Sequence, residues 1–315
     1  MRRSSERGPA SLKVSAAVRA GFTLVEMVTV IAIMGVIAAA VAVFMRAPLQ
    51  GYQDAERRAA ITDAADTAFA LLKRDLQTAL PNSVRVTNAG AVFHLEFLQT
   101  RTGGRYRAAD PVPVPAAGAS TCADTNGDGL ADENVLQFGM PDACFTTLGA
   151  LPNLGTIAAG SDFVTVYNLG PNFPGADAYE SGPATGGNKS RITSAIAGAG
   201  GENVITFQST TFALESPGRR FHVIAGPVAY ECDPGAGTLR RFSGYPIATV
   251  QPTPPAATPA LLARRITGCT IDYDQNATNA ANQRVGVVSI WLRFADAAGA
   301  GTVNLFQQVQ VSNAP

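Results

Sequence analysis

The chain has 315 residues, 24 basic and 24 acidic, so its formal net charge is zero. That balance excludes a strongly basic nucleic-acid binder and gives no reason to expect an acidic substrate. Hydrophobic residues reach 46% and charged residues only 15%, with 31 Gly and 20 Pro, which suits an apolar anchor followed by a loop-rich β domain.

Residues 1–21 form a basic leader in which Arg2, Arg3, Arg7, Lys13 and Arg19 face the single acid Glu6. An apolar run, Phe22–Met45, follows it. As a helix this run would measure about 36 Å, enough to cross a bilayer. It is too long for the core of an ordinary secretory signal, and no A-x-A site follows. Basic flanks stay cytoplasmic, so the expected orientation is N-in with the globular part outside. One residue breaks the run. Glu26 places an acid where hydrocarbon is expected, at a cost of roughly 2.5–3.5 kcal/mol if it lay at mid-bilayer.

The helix is expected to start at Phe22 and to continue, bent near Pro48 and Gly51, as far as Leu80, with Pro81 ending it. Residues 22–47 are its transmembrane half and 48–81 its amphipathic half, where Ala65, Phe69, Leu72, Leu76 and Leu80 recur at spacings of three and four. That face must pack on something, and alternation downstream predicts a sheet. Strands are expected around Asn88-Ala89-Gly90 on both sides, then over 161–169, 203–209, 220–232, 237–245, 265–273, 287–294 and 302–311. Segments 109–119, 170–201 and 251–259, rich in Gly, Ala and Pro, read as loops. The fold class is therefore α+β: a long N-terminal helix packed on an antiparallel β-rich head, residues 82–315, carrying an insertion around 110–200.

Cys122, Cys144, Cys232 and Cys269 form an even set with no C-x-x-C pair. Outside the cytoplasm they would make two disulfides. Of three possible pairings, Cys122–Cys144 with Cys232–Cys269 is the expected one, because each pair lies within one segment. Each bridge would contribute roughly 3 kcal/mol by loop closure.

Gly21-Phe22-Thr23-Leu24-Val25-Glu26, followed by about twenty apolar residues, resembles the class III signal of type IV pilins and type II secretion pseudopilins. The resemblance implies cleavage after Gly21 by the prepilin peptidase and N-methylation of the new terminus at Phe22. It also implies that Glu26, fifth in the mature chain, sets register between subunits. A buried carboxylate needs a partner, and the terminal amine of a neighbouring subunit would supply it. Blocks such as "VFMRAPLQGYQDAERRAAITDAADTA", "KRDLQTALPNSVRV", "LEFLQTRTGGRYR" and "FHVIAGPVAYEC…LRRFSGY" further resemble the MshO type of minor pilin from mannose-sensitive haemagglutinin (MSHA) pili. They cover most of 21–108 and 220–273. What this implies is a low-abundance subunit that initiates or caps a pilus. Its partners would be major and minor pilins, the prepilin peptidase and the inner-membrane assembly platform. Its location would be the bacterial inner membrane, head in the periplasm, and then the cell-surface fibre. The J-type pseudopilin of type II secretion is the nearest rival, and a calcium-dependent adhesive tip pilin is a third reading.

"CADTNGDGLADENV" has the D-x-N-x-D-G-x-x-D spacing of a calcium loop, with Asp124, Asn126, Asp128 and Asp132 as oxygen ligands and Gly129 at the bend. Leu130 would offer its carbonyl and Glu133 or Asp142 would complete the shell, since Val135 stands where an EF-hand has its bidentate Glu. The same residues also read as an Asx-rich surface turn. No enzyme is expected: G-x-S-x-G, H-E-x-x-H, P-loop and Rossmann patterns are missing from the sequence. His94 and His222 fall on strand-like segments and read as packing or surface groups. Arg101, Arg105 and Arg107 with Tyr106 read as a solvated hairpin end, or else as a contact for DNA or another pilin. Trp291 and Phe294 read as core.

Overall fold

The computed structural model describes residues 21–107, 122, 134–171, 173–181, 187–274, 285–295 and 301–315. The chain divides into two compact units, Met1–Glu56 and Arg57–Pro315. One helix, α1 (Leu24–Gln77), runs from the first unit into the second, and its assignment is unbroken at Pro48. It starts two residues later and ends three residues earlier than the sequence predicts. Its C-terminus closes through tight turns, with the Thr78 and Ala79 amides donating to the Asp75 and Leu76 carbonyls at 3.0 and 3.1 Å. The Thr78 hydroxyl also donates to the Asp75 carbonyl at 2.8 Å, and Pro81 prevents continuation.

In the second unit the strands are β1 (Arg85–Ala89), β2 (Val92–Arg105), β3 (Asp142–Thr146), β4 (Phe163–Val166), β5 (Lys189–Ala197) and β6 (Asn203–Thr210). They continue with β7 (Arg220–Asp233), β8 (Thr238–Ser243), β9 (Ala260–Arg264), β10 (Ile266–Asp274), β11 (Val285–Ala295) and β12 (Thr302–Ser312). Nine make one sheet, ordered β1-β2-β7-β4-β5-β6-β3, with β8 and β9 attached beside β7. The last three make a separate sheet, β10-β11-β12. The β1–β2 hairpin closes between Ala89 and Val92, where Gly90 takes φ 66°, a left-handed conformation that glycine adopts without penalty.

The β2–β7 ribbon organises everything else. It pairs antiparallel from Phe93↔Cys232 to Arg105↔Arg220, with bulges near Thr100. The first half of β7 then pairs with β4, and its second half with β8. Two cores follow from this branching. In one, the helix face Ile61, Ala65, Phe69, Leu72 and Leu76 packs with Leu95, Phe97 and Tyr230 of the large sheet and Ile290, Leu292 and Phe294 of the small one. In the other, Phe145, Val164, Ile205, Phe207, Phe221 and Val223 cluster, with Phe145 and Phe221 edge to face at 4.9 Å. Leu80, beyond the helix end, is buried in a smaller cluster with Leu98 and Tyr179. All five residues of the expected amphipathic face are buried.

Two polar features hold this arrangement. Asp75, near the end of α1, accepts hydrogen bonds from the Tyr230 hydroxyl (2.8 Å) and Arg241 Nε (2.7 Å), tying the helix to β7 and β8. Behind β2 and β7 lies a buried charged layer. Arg85 pairs with Glu96 at 2.5 Å, His94 Nε2 lies 3.3 Å from Glu231, and Arg240 pairs with Glu231. A segment after β8 seals it: Arg85 donates to the Ala248 and Thr249 carbonyls, the Tyr245 hydroxyl to Glu96, and Gln251 to the His94 carbonyl. Burial raises the Glu96 carboxyl, and Arg85 opposes that rise by stabilising its charge.

Candidate functional site

At the N-terminus, Gly21, Phe22 and Thr23 lie outside the helix and are exposed. Thr23 is the N-cap. Its hydroxyl accepts the Glu26 amide at 3.3 Å, and its carbonyl accepts the Met27 amide at 3.2 Å. Glu26 is thus three residues past the cap, at the position where an acid completes a capping box and meets the positive end of the helix dipole. Local chemistry alone therefore gives this acid a place. It gives the charge no cation, however. Among the described residues the Glu26 carboxylate has no hydrogen-bond or ion-pair partner, and the residue is exposed.

Gly21 has no structural reason to be glycine among the described residues: a Cβ there would meet nothing within 4 Å. Past Glu26 the helix presents Met27, Val28, Val30, Ile31, Ile33 and Met34, all exposed. This N-terminal stretch is long and apolar enough to cross a membrane, consistent with single-pass anchoring.

The four cysteines pair as Cys122–Cys144 and Cys232–Cys269. The second bridge is buried in the core and joins β7 of the large sheet to β10 of the small one. Asp124, Asn126, Asp128, Leu130, Asp132 and Glu133 lie outside the described residues, as does most of the leader. The flanks of the calcium-like segment are described. Cys122 and Asn134 are both buried, and the Cys122 amide donates to Asn134 Oδ1 at 3.0 Å, so the two residues that flank 123–133 stand side by side. Asp142 is engaged elsewhere: one oxygen accepts the Gln137 amide at 2.8 Å and the other the Ala143 and Cys144 amides at 2.6 and 3.1 Å. Among the described residues no His, Cys, Asp or Glu cluster could hold a metal.

The arginines of "RTGGRYR" do not form a hairpin end. Arg101 sits at the bulge of β2, Arg105 is the last residue of β2, paired with Arg220 of β7, and Arg107 lies just past the strand. Arg101 pairs with Asp162 at 2.6 Å, and Arg107 pairs with Glu202. Tyr106 is fully buried. Both histidines are in strands: His94 belongs to the sealed charged layer, and His222 is lowered to about 4 by burial and by the charge of Arg220. Phe294 is core, as expected. Trp291 is only half-buried, on the other face of β11, opposite Phe306, which is 63% exposed. Sequence reasoning missed Asp75 and Arg241, whose contact joins positions 166 residues apart. Neither the helical period nor the strand alternation signals such a pair.

Residues 17–42 match the family profile described as the prokaryotic N-terminal methylation motif. No curated protein and no solved structure matches the chain significantly. The match covers Gly21, Phe22, Glu26 and most of the apolar run, and it supports a type IV pilin-like or pseudopilin protein, a class whose role is structural rather than enzymatic.

Proposed function

We propose that this chain is a minor pilin of an MSHA-like type IV pilus that acts in assembly initiation or in the tip complex. The observation that carries the reading is the methylation motif at residues 17–42, set on an apolar helix whose acid has no cation among the described residues. In this reading the prepilin peptidase cuts after Gly21 and Phe22 becomes the methylated terminus. The ammonium of Phe22 in one subunit then neutralises Glu26 in the next. The stem sits in the inner membrane with the head in the periplasm until the assembly platform moves the subunit into a fibre of major and minor pilins. The minor-pilin assignment is supported by the sequence blocks over 21–108 and 220–273. A J-type pseudopilin of type II secretion would share every feature of the stem.

The test is intact-mass spectrometry of the protein purified from its own membranes. The expected species begins at Phe22 and carries one methyl group; a Gly21→Leu variant should keep residues 1–21. A full-length native species in assembled fibres would overturn the reading.

The same reading proposes a calcium ion in the head at Asp124, Asn126, Asp128, Leu130, Asp132 and Glu133, supported by their spacing and by the contact between the flanking residues Cys122 and Asn134. With hard oxygen ligands and no bidentate acid at the last position, affinity belongs in the millimolar extracellular range. Millimolar calcium should raise the melting temperature of the full chain in detergent, and magnesium should not. Equal melting with and without calcium would leave an Asx-rich turn.

A further inference from the structure

Of the three arginines in "RTGGRYR", two are neutralised by acids, Arg101 by Asp162 and Arg107 by Glu202. Arg105 is not. Its register partner across the β2–β7 ribbon is another cation, Arg220. Like charges placed directly opposite in an antiparallel pair destabilise it. Both side chains are exposed, and among the described residues neither makes an ion pair. Residues two apart share a face of a strand, so Gly103 and His222, themselves partners in the register, continue this surface by one step.

A groove of about 580 Å³ opens here, lined by Thr100, Thr102, Arg105, Leu148, Arg220 and His222, with the Gly103–Gly104 backbone contributing to its wall. Its volume suits a small ligand of one or two rings. The Thr100 hydroxyl donates to the Thr78 carbonyl at 2.7 Å. Its proton is committed and its lone pairs remain, so it can accept a hydrogen bond from a ligand hydroxyl. His222, held neutral, can serve hydroxyls as donor or acceptor.

We propose that this groove binds a uronate residue of an acidic polysaccharide, with Arg105 and Arg220 gripping the carboxylate and Thr100 and His222 facing the ring hydroxyls. Guanidinium groups match a planar carboxylate with paired donors and stay charged at every physiological pH. The carboxylate would also relieve the repulsion between the two arginines. A nucleic-acid strand fits less well. The aromatic ring in the groove wall, Phe221, is fully buried and offers no face for stacking bases. The chain as a whole is neutral, without the basic excess of a nucleic-acid-binding domain.

The test is calorimetric titration of the full chain in detergent with trigalacturonate, alongside maltotriose, inorganic phosphate and an oligo(dT) strand. Trigalacturonate should bind saturably, and the other three more weakly by about ten-fold or more, the worth of one charge-assisted hydrogen bond. Arg105→Gln and Arg220→Gln should each weaken uronate binding by a similar factor of about ten, and their melting temperatures should hold or rise. Saturable binding that both variants retain would overturn the assignment. So would equal affinity for phosphate or oligo(dT), or no saturable binding of the uronate by the native chain.

Discussion

A Glu26→Ala variant should enter the membrane and lose its leader normally, yet be missing from assembled fibres. Insertion should survive because the substitution removes an acid from an apolar helix, which favours lipid. Capping should survive in large part because the Thr23 hydroxyl and the Glu26 backbone amide, not the carboxylate, make the observed bond. What disappears is a charge that has no partner among the described residues of its own chain. If a neighbouring ammonium neutralises it in the fibre, removing one member strands the other in a low-dielectric contact. That costs about 3–5 kcal/mol per subunit, equivalent to a loss of incorporation of roughly 10²–10⁴-fold. Glu26→Gln separates the two roles of this residue, since the amide keeps the shape and hydrogen-bonding reach of a capping box but not the charge. It should fail as the Ala variant does. Normal amounts of Glu26→Gln in sheared fibres, measured by immunoblot, would remove the charge-pairing account and leave only helix capping.

Replacing Cys232 and Cys269 together by Ala should lower the stability of the head by about 4 kcal/mol from loop closure alone, measured by chemical denaturation against the native chain. The bridge spans 37 residues and unites two sheets that share no ladder among the described residues. Cys232 and Cys269 also sit among Leu95, Phe97, Tyr230 and Ile271, so their loss opens space in the core beneath α1. The Cys122–Cys144 bridge encloses a shorter loop, and its removal should cost less. Equal stability of the Cys232/Cys269 double variant and the native chain would show that the helix core alone holds the two sheets together.

The long elements were legible because their periods are strong. The α1 face from Ala65 to Leu76 follows the helical period, and β11 and β12 alternate over many residues, so burial and sequence pattern agree. Short strands were not. β3 (Asp142–Thr146) and β9 (Ala260–Arg264) have five residues each, and β5 (Lys189–Ala197) lies in a Gly- and Ala-rich stretch read as loop. Their pairing comes from neighbours distant in sequence, to which local propensity is blind. The alternation in "FHLEF" misled in a more instructive way. His94 and Glu96 fall where a solvent face is expected, but both are buried, because the segment from Tyr245 to Gln251 folds over them and Arg85, Arg240 and Glu231 supply partners. Of the candidate site, Gly21, Phe22 and Glu26 were readable as a contiguous motif. The Arg105–Arg220 pair was not, since its members come from strands 115 residues apart and meet only through the register.

The stitches around the C-terminal end of α1 have a mechanical meaning. Asn82 donates through its side chain to the Asn168 and Asn313 carbonyls, Asn168 donates back to the Pro81 carbonyl, and Asp75 grips Tyr230 and Arg241. Tension arriving along the stem would therefore meet several anchors loaded in parallel, on both sheets at once. Parallel loading demands that they yield together, so the head should resist stretching far better than a domain whose bonds unzip one by one.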